Sequence, residues 1–161
     1  DFVRYRKTNF VTRRVAMPIG EPDGHTTPRL ERIVETFRAA GINAKAEPHM
    51  DAWLKTHAAF EVPLGQAVHA AGGPTALADD PDAVRGMLHL MRQNLAAMAT
   101  PPTPRAFAAL RTLPTGLLVT MLRHFLKSPT AVHSGLDNPS PAAAAELQRL
   151  AEQLRAPAGA R

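Results

Sequence analysis

Apolar and polar positions alternate in different periods along the chain, and the change of period divides it near residue 48. Residues 2 to 20, "FVRYRKTNFVTRRVAMPIG", set β-branched and aromatic residues between basic ones and predict two short strands, with "KTN" as a turn. "EPDGHTTP" then leads into a helix start, with Thr27 as the cap, Pro28 at the first helical position and Glu31 in the first turn. Leu30, Ile33, Val34 and Phe37 follow at i, i+3, i+4 and i+7, so all four are expected on the buried face, and Gly41 stops the helix. "INAKAE" alternates as a strand does until Pro48.

Beyond that point the period is helical. Asp51 caps a long predicted helix that reaches about Ala71 and carries Pro63 in its interior, where a kink is expected. Trp53, His57, Phe60 and Leu64 share one face, whereas Lys55, Ala59, Val62 and Gln66 lie largely opposite, the pattern of a helix central in a bundle. "GGPTALADDP" reads as a connection. Pro81 opens a helix that buries Val84, Met87, Leu88, Met91, Leu95 and Met98, a Met-rich stripe that reads as core filling. Helices near 104–112 and 114–127 follow, the second burying Leu117, Leu118, Met121, Leu122 and Phe125. A polar loop, "KSPTAVHSGLDNPSP", precedes a last helix from about Ser140 to Leu154, and a frayed tail is expected after it.

Composition narrows what such a chain does. With 161 residues and 45% hydrophobic content it is long enough to bury a core. The absence of cysteine removes disulfides, thiolate metal sites and cysteine nucleophiles, and fits a reducing, cytoplasmic compartment. No signal peptide opens the chain, and no Met either, so a piece of a longer protein is expected. The apolar run after Lys55 is interrupted by Glu61, Pro63, Gln66 and two histidines, which favours a buried helix over a membrane span. A net charge of +5 brings nucleic acid into view as a partner, but the basic residues are dispersed and aromatics are only 5%, which argues against it.

No G-x-G-x-x-G, Walker-type, H-E-x-x-H or G-x-S-x-G pattern occurs, and His124 and His133 read as surface histidines beside a loop. Lys55 stands out. Near the start of a central helix, its stem either covers apolar surface while the ammonium reaches water, or its ammonium sits in a polar pocket and donates a proton to a developing alkoxide. Glu61 also has two readings, facing solvent or lying on the broad side of Lys55.

The stretch "GEPDGHTTPRLERIVETFRAAGINAKAEPHMDAWLKTHAAF" resembles the ketopantoate reductase (2-dehydropantoate 2-reductase) family: a strand ending in "GE", a helix ending in "AGI", a strand, then "W-x-K" as Trp53-Leu54-Lys55. The similarity is good over residues 19 to 60 and looser afterwards. It implies a mainly α fold, a helical bundle of the 6-phosphogluconate-dehydrogenase C-terminal type over residues 49–161. A short β-β-α-β remnant of a Rossmann domain precedes it over residues 1–48. It also implies an NADPH-dependent reduction of a small 2-oxo acid in which Lys55 is the general acid.

In that family a serine twelve residues before a glutamate contacts the substrate, and Ser134 and Glu146 have that spacing. Two departures accompany the match. Ala59 and the Val62-Pro63-Leu64 stretch stand where the family has asparagines one and two turns after the lysine, and His57 lies toward another face. The dinucleotide-binding domain, with its glycine-rich loop, is not in the chain, so the chain alone is expected neither to hold NADPH tightly nor to turn over. Exposed strand edges and a cleft-facing apolar surface would then favour a homo-oligomer. The rival reading is a non-catalytic helical interaction or oligomerisation domain that keeps the family fold.

Overall fold

Two glycines and two prolines punctuate the chain where the sequence places its first turns, and the elements between them follow. The computed structural model describes residues 16–131 and 141–155, so the first predicted strand lies outside the described residues. The chain forms two compact units, Asp1–Leu54 and Lys55–Arg161. It is mainly helical, with one short parallel sheet.

In the first unit, strand β1 (Met17–Ile19) pairs in parallel with β2 (Ala44–Ala46), with Met17 opposite Ala44. A parallel pair needs a crossover connection. Helix α1 (Pro28–Ala39) is that crossover, packed on β2. Thr27 caps it as expected, its side chain accepting from the Leu30 amide at 3.1 Å. At the other end Gly41 takes φ +82°, a left-handed turn that suits glycine, and the Ile42 amide returns to the Phe37 carbonyl at 3.0 Å.

Among the described residues of this unit, Leu30, Val34 and Ala44 form the buried cluster, with Met17 and Ile19 packed against it. Ile33 and Phe37 were expected in it and are not, each being 37% exposed. Of the four-residue face that the period marks out, the helix buries Leu30 and Val34, one turn apart. Gly20 ends β1 where a Cβ would stand 2.4 Å from the Glu47 carbonyl oxygen, a spacing that only glycine tolerates.

The second unit is built on helix α2 (Met50–Ala71), which starts one residue before Asp51, so that Asp51 lies in its first turn rather than at the cap. Gly72 (φ +78°) and Gly73 (φ +141°) end it. The "GGPTALADDP" stretch is more than a connection: it contains a short helix, α3 (Pro74–Asp79), whose Leu77 and Ala78 are fully buried. Asp80 ends α3 and caps α4 (Pro81–Ala97), accepting from the Asp82 and Ala83 amides at 3.0 and 2.9 Å.

A 3-10 turn (Arg105–Ala108) and α5 (Ala109–Thr112) lead to α6 (Thr115–Leu126). A single turn, α7 (Pro129–Ala131), and helix α8 (Pro141–Arg155) complete the described residues. Leu64 and Val68 of α2, Leu77 of α3, Leu88 and Met91 of α4, and Leu118, Leu122 and Leu126 of α6 form one apolar core. The Met stripe of α4 is core filling as expected, with Met98 just past the helix as its half-buried cap.

Helix α6 turns a different face inward from the one expected. Leu118, Val119, Leu122 and Leu126 are buried, whereas Leu117 and Met121 are about half exposed and Phe125 is 37% exposed. The helix is apolar nearly all round, and packing against α3 and α4 decides which stripe is covered. Arg92 fastens the connection before it. Its guanidinium donates to the carbonyls of Leu110 and Leu113 at 2.7 and 2.6 Å and to the Thr115 hydroxyl at 2.7 Å. Arg123 likewise donates to the Ala78 carbonyl at 2.7 Å, the end of α3.

Candidate functional site

Lys55 is exposed on the second turn of α2, and the residue after it is fully buried. That neighbour, Thr56, accepts from the Thr103 amide at 2.9 Å and donates to the Met98 sulfur at 3.9 Å, so one hydroxyl ties this turn to the chain beyond α4. One turn further on, Phe60 meets Phe107 edge-on, with centroids 5.4 Å apart. The segment that carries Lys55 is therefore fixed from two sides. At about 100° per residue, Ala59, Val62 and Gln66 follow Lys55 on one stripe within about 40°. Ala59 and Val62 are buried there, so the ammonium stands at the exposed end of an otherwise covered stripe.

Glu61 does not share the side of Lys55. It is half-buried and lies about 120° round the helix, one turn after the exposed His57. Burial raises its pKa above the ordinary carboxylate value near 4.5, and the nearby His57 charge offsets part of that rise. Of the two residues proposed to contact substrate, Ser134 lies outside the described residues, as does His133. Glu146 is an exposed residue of α8, and His124 is exposed on α6.

The interior of α2 carries a further feature at Pro63. Pro63 has no amide hydrogen to give to the carbonyl four residues back, that of Ala59. Asn94 of α4 supplies a donor to that carbonyl, its Nδ2 lying 3.5 Å from the Ala59 oxygen, at the outer limit of a hydrogen bond. Beside this contact is a cavity of about 260 Å³, formed by Val62, Pro63 and Gln66 of α2, Gln93 and Asn94 of α4, and Ala151 of α8. Two signals in the sequence pointed to it: a proline inside a helical period, and an asparagine where the apolar stripe of α4 would continue.

A larger, open concavity of about 430 Å³ lies in the first unit among Glu21, Asp23, Thr27 and Arg29, but Glu21, Thr27 and Arg29 are bonded to one another and Asp23 accepts from the His25 amide at 3.0 Å. Glu21 accepts from the Thr27 hydroxyl at 2.6 Å and pairs with the Arg29 guanidinium through both carboxylate oxygens. The Arg29 and Thr27 bonds hold its carboxyl below the usual carboxylate range.

These described residues do not fit a dinucleotide. The turn from β1 into α1 sets the Glu21 carboxylate beside the helix N-terminus, where a pyrophosphate would need amides and no anion. The space above Gly20, which a phosphate would enter in a dinucleotide loop, is occupied by the Glu47 carbonyl and the Met50 side chain. Among the described residues no group of three histidine, aspartate or glutamate side chains is placed to hold a metal ion. No helix among them is long and apolar enough to cross a membrane. Comparison of the chain with protein-family models, with curated proteins and with solved structures finds no match.

Proposed function

We propose that the chain is the C-terminal part of an NADPH-dependent 2-oxo-acid reductase of the ketopantoate reductase kind, with a 6-phosphogluconate-dehydrogenase-like helical domain and Lys55 as its proton donor. The observation that carries this reading is the position of Lys55. It follows a parallel β-α-β unit by a few residues, in the opening turns of a helix whose later turns are central to a bundle.

In this reading Lys55 gives its proton to the carbonyl oxygen of the bound 2-oxo acid as that oxygen gains negative charge. Thr56, anchored by Thr103 and Met98, keeps the turn from shifting as it does so. Glu146 and Ser134 would hold the substrate's hydroxyl and carboxylate. The dinucleotide would be held by residues other than those described, and the whole protein would work in the cytoplasm as a homo-oligomer.

The test is turnover of 2-oxo acids with NADPH by the protein extended through the coding sequence upstream of Asp1. Lys55→Ala should lower kcat by about 10²–10⁴-fold, the usual worth of a positioned general acid. Equal turnover by the variant, or none by the extended wild type, would reject the assignment.

A second reading has its own support. The half-exposed stripe Leu117, Met121 and Phe125 on α6, and the apolar residues where the family has asparagines, suit an interaction or oligomerisation domain without chemistry. It predicts concentration-dependent association that Met121→Lys abolishes, together with an extended protein that has no reductase activity.

A further inference from the structure

One buried hydroxyl of the second unit joins two residues of a single segment, and one of the two is a methionine. Thr56 is fully buried, and its hydroxyl accepts from the Thr103 amide at 2.9 Å while donating to the Met98 sulfur at 3.9 Å. A thioether is a weak acceptor, so the bond to Met98 is the weaker half of this tie. Met98 is half-buried just past the end of α4, and Ala99, Thr100 and Pro101 after it are exposed. A donor held in the interior thus meets a sulfur that a small molecule in solvent can reach.

From this juxtaposition we infer that Met98 is a site of reversible oxidation, whose sulfoxide oxygen the Thr56 hydroxyl receives. The oxidant is a peroxide. With hydrogen peroxide, a sulfur lone pair attacks one peroxide oxygen, and the S–O bond forms as the O–O bond breaks. The other oxygen leaves as water with both hydrogens, so sulfur loses two electrons and the peroxide gains them. The unbranched side chain of Met98 turns outward about its rotatable bonds to meet the oxidant, and then returns.

The present distance is what lets the sulfoxide fit. An S–O bond of about 1.5 Å and an O–H···O hydrogen bond of about 2.7 Å span 3.9 Å when they meet at about 130° at the sulfoxide oxygen. That angle lies near a lone-pair direction, so Thr56 keeps its place and exchanges a weak acceptor for a strong one. A hydroxyl that donates to a stronger acceptor also accepts more strongly, which tightens its bond from Thr103. Methionine oxidation ordinarily disrupts packing, whereas here it should reinforce the tie beside Lys55. Met121 on α6, 53% exposed, is the comparison, because its sulfoxide faces water. The site does not depend on the reductase reading, since Thr56, Met98 and Thr103 form it without substrate or cofactor.

The test is amide hydrogen exchange of the full chain by NMR, before and after dilute hydrogen peroxide, with sulfoxides assigned to peptides by mass spectrometry. Met121→Leu removes the exposed competitor. Oxidation at Met98 should slow exchange of the Thr103 amide about fivefold, the worth of one net hydrogen bond, and a methionine sulfoxide reductase should restore the starting rate. Met98→Gln, which brings an amide oxygen to the same hydroxyl, should slow exchange without oxidant. Thr56→Ser should keep the response to peroxide, and Thr56→Val should lose it. Thr103 exchange that speeds up or stays the same on oxidation would overturn the inference. So would a gain that survives Thr56→Val, a sulfoxide that no reductase reverses, or a Met98 left unoxidised when the half-buried Met17 and Met50 are oxidised.

Discussion

The two units of the chain are held together by different chemistry. Among its described residues the first clusters Leu30, Val34 and Ala44 and adds charge: Glu21 with Arg29 and Thr27, and Glu47 with Lys45 at 3.7 Å and with the His49 amide at 3.1 Å. The second buries a dozen apolar residues in one cluster; its Arg92 and Arg123 close main-chain carbonyls, as Arg38 does in the first unit, and its ion pairs, Lys127 with Asp79 and Arg85 with Asp82, lie at the surface. A small core leaves stability open to pH, whereas a large one leaves it open to cavities.

The sharpest way to break this contrast is to remove core volume from each unit. Leu88→Ala, at a fully buried position of α4, should cost about 2–5 kcal/mol. Val34→Ala in α1 should cost about 2 kcal/mol, because its neighbourhood is thinner and partly open. Amide hydrogen exchange followed unit by unit reads both. Equal losses would mean that the first unit is better packed than its burial indicates.

Arg92→Ala comes next. It strands the Leu110 and Leu113 carbonyls and should cost about 1–3 kcal/mol, with the early loss of protection confined to residues 105 to 118. A uniform loss across the second unit would show that the clamp is part of the core and not a local fastening.

The smallest effects are in pH, and they have opposite signs. Glu21 has a lowered folded pKa, so its contribution is present above the ordinary value near 4.5 and is lost as pH falls through the folded value. Glu61 has a raised folded pKa, so it favours the folded state below about 4.5 and that contribution is lost as pH rises through the folded value. Glu21→Gln should therefore flatten the acid limb of stability. Glu61→Gln should stabilise the chain at neutral pH and leave the acid limb alone. Chemical denaturation of both variants across pH 3 to 8 checks the signs.

Much of this architecture is legible in the sequence where local signals agree. Thr27 and Pro28 start α1, Pro81 starts α4, and the helical period between such marks carries through. The sequence misleads where only packing decides. Leu117, Leu118, Met121, Leu122 and Phe125 permit two buried stripes on α6, and α3 is too short for a period to reveal its buried Pro74, Leu77 and Ala78. Lys55 stands out by its place near the start of a central helix, but only the resemblance carried with Trp53 and Leu54 attaches a role to it. The sequence marks Pro63 and Asn94 as unusual but does not bring them together, because the residues around them, Gln66, Gln93 and Ala151, come from three distant segments.

The central claim, that Lys55 is the proton donor, is tested most directly by chemical rescue. In the N-terminally extended protein, Lys55→Ala should abolish most NADPH-dependent reduction of 2-oxo acids, and added methylammonium should restore part of kcat in proportion to its concentration. A variant that needs no rescue would contradict the account, as would one in which the amine restores nothing.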